Sequence, residues 1–359
     1  MKHAWIRRCV ILCAALALCF GMVLRSRREG ETSRPAAGRL TLWYAESDCP
    51  KDVMDKLLAR CRQQTGLWID ATAFPDEKAL GEAAENAAPE LLWCSHVRAG
   101  RLWEEGELGA LAETVPGTEA ARAIGEWVGV SFFPLGSRLP LLLVDTGRTD
   151  GQFKNLEALY AAGEGTPFLV SDDWAELLFT TLFTQGYTMR GDEKDRESYI
   201  WEDGYNALAG AFFHGGFATA EDPAVYVREG LVPCAITNSM RLAGIAGEKL
   251  QARLLPLPEG APAQYPAELM GFALFEGADP AAAESFGRWL CGSGEGDSQA
   301  LTAGLVPLGV SAPGQTAVEK SIAALAGSGV LFCLPSDTVF YENRADCNRR
   351  LSAALDLLT

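Results

Sequence analysis

Histidine is scarce in this 359-residue chain: His3, His96 and His214 are the only three. That nearly excludes a histidine-built metal centre and leaves two candidates beyond the N-terminal segment for histidine acid–base chemistry. No run of Lys or Arg occurs after residue 28, and the formal net charge is −16, so a basic face for duplex nucleic acid is missing. There is no G-x-x-x-x-G-K-[ST], which removes P-loop phosphate binding, and no G-x-S-x-G nucleophile elbow. Gly-Ser-Gly-Glu-Gly at 292–296 follows a helical pattern instead of a strand, so it is a loop and not a dinucleotide fingerprint. None of the ten cysteines forms C-x-x-C, which removes zinc ribbons and thioredoxin-like redox motifs. No cofactor is implied, and the chain shows no internal repeat.

Apolar material, by contrast, is plentiful. Hydrophobic residues make up 48% of the chain and charged ones 22%, enough for two cores at this length. The N-terminus places Lys2, Arg7 and Arg8 before an unbroken apolar stretch from Cys9 to Leu24, with Arg25, Arg27 and Arg28 after it. Basic residues on both sides of an apolar run read as an anchor helix whose charged ends sit at the two headgroup layers. An uncleaved anchor, lipidation at Cys19 and simple cleavage stay open, and each exports the rest of the chain. Residues 29–38 are polar, small and proline-bearing, a tether. The exported part carries the whole acidic excess, which keeps it soluble and slightly favours cationic or neutral ligands. Most of its seven cysteines, such as Cys94 and Cys234, sit in apolar runs where a thiol packs as a small hydrophobe, while Cys333 and Cys347 are candidates for a disulfide.

From Leu40 the pattern alternates. Strands are predicted at 40–45, 67–74 and 90–95, helices from Pro50 to Gly66, over 76–87 and around Leu102 to Leu108. This order implies a parallel sheet covered on both faces, an α/β class. SFFPLGSRLPLLLVDTG (131–147) is extended and broken by Pro134 and Pro140, which suits a crossover between lobes better than the centre of a sheet. A second α/β unit follows, with strands at 168–172 and 233–239, each running into a helix, and a helix over 197–213. ARLLPLP (252–258) reads as a return crossover, 270–277 as a strand, and 280–290, 297–304, 315–326 and 343–358 as helices.

Two α/β lobes joined by more than one crossover predict a cleft at the C-terminal ends of the strands. The loops there are Glu46-Ser47-Asp48, Ser95-His96, Ser171-Asp172-Asp173-Trp174 and Asn238-Ser239-Met240, all polar and each at a helix start. Ser95 with His96, and Asp172-Asp173 with Asp145, could serve catalysis, but caps and ligand contacts explain them more simply; His214 suits a helix C-terminus. Trp43, Trp68, Trp103 and Trp289 fall at core positions, and Trp93 near the cleft end of its strand. Tyr44 and Trp174 border the polar loops and offer stacking faces for a sugar ring.

In order along residues 40–312 stand LTLWYA, APELLWCS before EEGELGAL, FFPLGSRLPLLLVDTG, REGLVPCAITNSMRLAGI, LLPLPEG, MGFALFEGADPAAAESFGRWL and SQALTAGLVPLGVSA. They include the Gly106-Leu108-Leu111 turn, the Gly230–Met240 strand and the Gly304-Pro307 turn. In this the exported chain resembles the extracellular solute-binding proteins of ABC importers, of the group that includes maltose- and other sugar-binding proteins. The aromatic usual after the serine of the 230–240 strand is Met240 here, and the tyrosine-asparagine that often ends the first crossover is Val144-Asp145. The resemblance implies a two-lobed, periplasmic-binding-protein-like (Venus flytrap) fold. Lobe 1 would comprise 40–140 plus 260–312, and lobe 2 would comprise 141–259 plus 313–359. It further implies capture of a small polar solute, with a carbohydrate favoured, for importer membrane subunits, by a monomer on the outer face of the cell membrane and without catalysis. A sensor that keeps the fold without transport is the alternative. The expected ligand contacts are Glu46, Asp48, Ser95, Trp174, Asn238 and Ser239, with Tyr44, His96 and Phe272 behind them.

Overall fold

The computed structural model describes residues 38–84, 87–155, 158–159, 168–171, 174–184, 217–257, 265–292, 295–309, 314–326, 331–333, 346, 349 and 353. The apolar segment 1–28, the helix expected over 197–213 and most of that over 343–358 lie outside them. Among the described residues no helix is long and apolar enough to cross a membrane.

The chain begins with β1 (Arg39–Ala45), whose alternate residues Leu40, Leu42 and Tyr44 are buried. Helix α1 (Lys51–Thr65) buries Val53, Met54, Leu57 and Cys61 and stops at Gly66, whose φ of 76° lets its N–H close on the Arg62 carbonyl. Then come β2 (Trp68–Phe74), α2 (Glu77–Ala84), β3 (Leu91–Ser95), α3 (His96–Glu104), β4 (Phe132–Arg138) and β5 (Pro140–Asp145). Next are β6 (Phe168–Ser171), α4 (Trp174–Thr184), β7 (Phe217–Ala220), α5 (Pro223–Arg228), β8 (Cys234–Asn238) and β9 (Leu250–Arg253). The long β10 (Tyr265–Leu274) leads to α6 (Pro280–Gly292), α7 (Glu295–Thr302), β11 (Val306–Pro307), α8 (Ala317–Ala323) and β12 (Leu331–Cys333). The helix expected after β8 is a single 3-10 turn, Ser239–Leu242, followed by Gly244 at φ 70°.

The larger sheet runs β11-β4-β10-β3-β1-β2, and the smaller β7-β6-β8-β5-β9. β1, β2 and β3 are parallel as expected, but β10 lies antiparallel between β3 and β4. It enters from the other sheet by a crossover and not from a β-α-β unit, so nothing forces it parallel. Side chains alternate across the larger sheet. Leu91, Trp93, Phe133, Phe272 and Leu274 face α1 and α6, while Leu92, Cys94, Phe132 and Ala273 face α2 and α3.

Pro134 corrects one expectation. It sits inside β4, between β10 and β11, and not in a free crossover. The register shifts between Met270 and Gly271, opposite this proline, and the bulge absorbs the missing N–H.

The actual crossing after β4 is confined to Arg138-Leu139-Pro140. The return crossing likewise lies beyond the expected 252–258, inside β10: Tyr265 and Ala267 pack with the smaller sheet, Met270 and Phe272 with the larger. β12 pairs with those first three residues of β10, from Tyr265 to Ala267. A third passage follows α7, where Leu305 joins the larger core and Val306 the smaller. Beyond it, α8 is tied to β9 by Ser321, whose hydroxyl accepts from the Ala252 N–H at 2.9 Å.

Candidate functional site

The C-terminal ends of β1 and β3 place two polar loops side by side. In the first, the Glu46 N–H donates to the Phe74 carbonyl at 2.7 Å, and the Asp48 N–H donates back to Ala45 at 3.1 Å, which fixes the turn. Glu46 is exposed and Asp48 half-buried. In the second, the Ser95 hydroxyl accepts from the Arg98 N–H at 3.4 Å and caps α3.

These loops converge on charges that the composition did not flag. The Asp48 carboxyl hydrogen-bonds to that of Glu77, at the start of α2, and feels the positive charges of Arg138 and Arg98. Arg98 lies 3.5 Å from Glu77, and Arg138, the last residue of β4, donates through Nε to Glu268 of β10 at 3.0 Å. The side chains of Arg98, Arg138 and Glu268 are only 11%, 13% and 5% exposed, whereas that of Glu77 is 52% exposed. The outer rim is therefore carboxylate, with guanidiniums ion-paired beneath it. Loss of water pushes the Asp48 carboxyl up to about 7, helped by the neighbouring Glu77 and opposed by the two arginines.

On the smaller sheet, the Asn238 side chain accepts from the Met240 N–H at 3.0 Å and caps the 3-10 turn. Ser239 is fully buried and stitched to the first crossing: its N–H donates to the Leu139 carbonyl at 2.9 Å and its hydroxyl accepts from the Leu139 N–H at 3.3 Å. A small pocket beside it is lined by Pro140, Ser171, Glu176, Leu177, Thr180, Ile236 and Thr237. Trp174 opens α4, and its side chain is outside the described residues.

Three expected contacts prove to be core. Tyr44 is 1% exposed and packs with α1, its phenol pushed up to about 12 by burial. Phe272 is enclosed edge-on between Trp93 at 5.0 Å and Phe286 at 4.9 Å. His96 is fully buried, and its Nδ1 accepts from the Leu269 N–H at 3.0 Å, tying α3 to β10. Trp93 joins the core, whereas Trp68, expected there, is 44% exposed under the Arg62 guanidinium at 3.7 Å. Glu46, Asp48 and Ser95 are thus brought together, with Glu77, Arg98, Arg138 and Glu268 as the members missed. A signal existed for two of them: Arg138 and Glu268 are lone charges in otherwise apolar strands, and a buried charge requires a partner. Among the described residues no group of three or more His, Cys, Asp or Glu is placed to hold a metal ion.

No family model matches the chain, and no curated protein matches it in sequence. Solved structures do match in fold. The GacH receptor of Streptomyces glaucescens, whose structures include complexes with acarbose, aligns with a TM-score of 0.66 at 14% identity over 89% of this chain and 94% of its own. The spermidine/putrescine ABC transporter substrate-binding protein PotD of Streptococcus pneumoniae gives 0.64 at 14% identity, over 88% and 99%. The maltodextrin-binding protein MalE1 of L. casei gives 0.62 at 14% identity, over 89% and 94%. The fold is the two-lobed, periplasmic-binding-protein-like α/β architecture.

Proposed function

We propose that this chain is an extracytoplasmic solute-binding protein that captures a small polar solute, without transforming it, for the membrane subunits of an ABC importer. The two lobes would close over the solute about the crossings at Arg138 and Glu268. One observation carries this reading: a mixed carboxylate and guanidinium cluster sits at the strand ends of a solute-binding fold, beside two of the crossings. Such groups offer both donors and acceptors, as recognition of a polar solute requires. Asp48 would be the central contact, with Glu46, Glu77 and Ser95 around it and Asn238 and Trp174 as the candidates from the second lobe. A carbohydrate is the first ligand class to screen. Residues 1–28 would hold the monomer at the outer face of the membrane.

The test is a thermal-melt and small-angle scattering screen with sugars, polyamines and short peptides. A true ligand at a hundred times its Kd should stabilise the fold by about 2.7 kcal/mol and shrink the radius of gyration. If no solute changes either quantity, the proposal fails.

A further inference from the structure

Asn238 and Ser239 spend their side chains on the fold: one caps the 3-10 turn and the other is stitched to Leu139. Thr237, the residue before them on β8, does not. It is fully buried, and its hydroxyl has no hydrogen-bond partner among the described residues. Thr237 lines the small pocket at the ends of β6 and β8, together with Pro140, Ile236 and, from α4, Glu176 and Leu177. Thr180 is also in the lining but is already satisfied, its hydroxyl donating to the Glu176 carbonyl at 2.8 Å. The pocket's volume is about 10 Å³, room for one water-sized group. A buried hydroxyl left unpaired costs stability, whereas an apolar group of the same shape does not. A group that pairs with it only in a complex recovers that cost on binding and so discriminates strongly against analogues that lack it.

Resting on the solute-binding reading above, we propose that Thr237 is a specificity-determining contact on the smaller sheet, and that its pocket takes a hydroxymethyl arm of the solute. The oxygen of the arm completes the Thr237 hydrogen bond, and its carbon packs against Leu177 and Ile236. A methyl in its place would fill the space and leave the hydroxyl unpaired. A charged arm would shed its water in a space too small to keep any. Discrimination therefore falls on a single oxygen atom, read by a side chain that neither caps a helix nor ties two strands together.

The experiment compares solutes that differ only at that oxygen, by titration calorimetry on the full chain: glucose against 6-deoxyglucose, glycerol against 1,2-propanediol, and serine against alanine. In the pair that binds, the hydroxymethyl member should bind at least about tenfold more tightly than its methyl counterpart. Thr237→Val, which keeps the shape and removes the hydroxyl, should erase that difference, and Thr237→Ser should keep it. Without solute, Thr237→Val should unfold in urea at a midpoint no lower than the parent's, because no hydrogen bond is lost. A preference that survives Thr237→Val, or equal binding within the pair, overturns the proposal and leaves the solute-binding reading standing. So does a lowered midpoint for the solute-free Thr237→Val, which would mean that an internal water or another group already completes the hydroxyl. The same holds if the solute that shifts the melt carries no hydroxymethyl arm. If no solute of any kind moves the melt or the scattering, both fall together.

Discussion

Arg138 and Glu268 face each other across β4 and β10 at the two points where the chain passes from one core to the other. Their ion pair ties the first crossing to the return crossing, in a place where both side chains are nearly shut off from water. A buried pair contributes little net stability relative to apolar replacements, but removal of one member strands the other charge. Glu268→Gln or Arg138→Met alone should therefore cost about 3–5 kcal/mol in urea unfolding, and the double variant Arg138→Met/Glu268→Leu should recover most of it. A double variant as unstable as the sum of the singles would show that the two residues act independently and that the cost does not come from stranding a charge.

Asp48 makes stability depend on pH. Its carboxyl is raised from an ordinary 3.8 to about 7 in the folded chain, so between these values the folded protein holds a proton that the unfolded chain has lost. The stabilisation is complete below about 3.8 and is lost as pH climbs through about 7. Asp48→Asn should flatten that decline and raise the melting temperature at pH 8. Identical pH profiles for the variant and the parent would contradict the assignment.

Phe272 distinguishes packing from recognition. Enclosed by Trp93 and Phe286, it should cost about 3–5 kcal/mol when changed to Ala, without a change in solute affinity once the remaining fold is populated. A selective loss of affinity at unchanged stability would return it to the ligand-contact set.

Two glycines should respond oppositely to alanine. Gly304 has a φ of 73°, and a Cβ there would lie 2.5 Å from the Ser239 carbonyl oxygen, so Gly304→Ala should destabilise by about 1–3 kcal/mol. Gly81 lies within α2 with open space around it, and Gly81→Ala should stabilise by about 0.5–1 kcal/mol. Urea midpoints of the two variants decide the matter.

The described thiols should be silent. Burial lifts Cys61 and Cys234 to about 11 and Cys49, Cys94 and Cys291 to about 12, so all five are protonated at neutral pH. Alkylation with peptide mapping should label them in urea and spare them in the native protein.

Local patterning alone determined much of this molecule. The apolar period of Val53, Leu57 and Cys61, ended by Gly66, fixes α1. The alternation through Leu40, Leu42 and Tyr44 fixes β1, and the polar turns at Ser95 and Asn238 become caps. These depend on neighbours a few residues away, which a sequence displays directly. The antiparallel entry of β10, the bulge that admits Pro134, and the meeting of Asp48 with Glu77, Arg98, Arg138 and Glu268 were decided only by tertiary structure. Asp48 and Glu268 are separated by most of the chain, and what joins them is the order of strands in a sheet. Burial worked the same way: Tyr44 and Phe272 have an aromatic's choice between a core and a ligand, and only the packing of α1 and α6 against the sheet settles it.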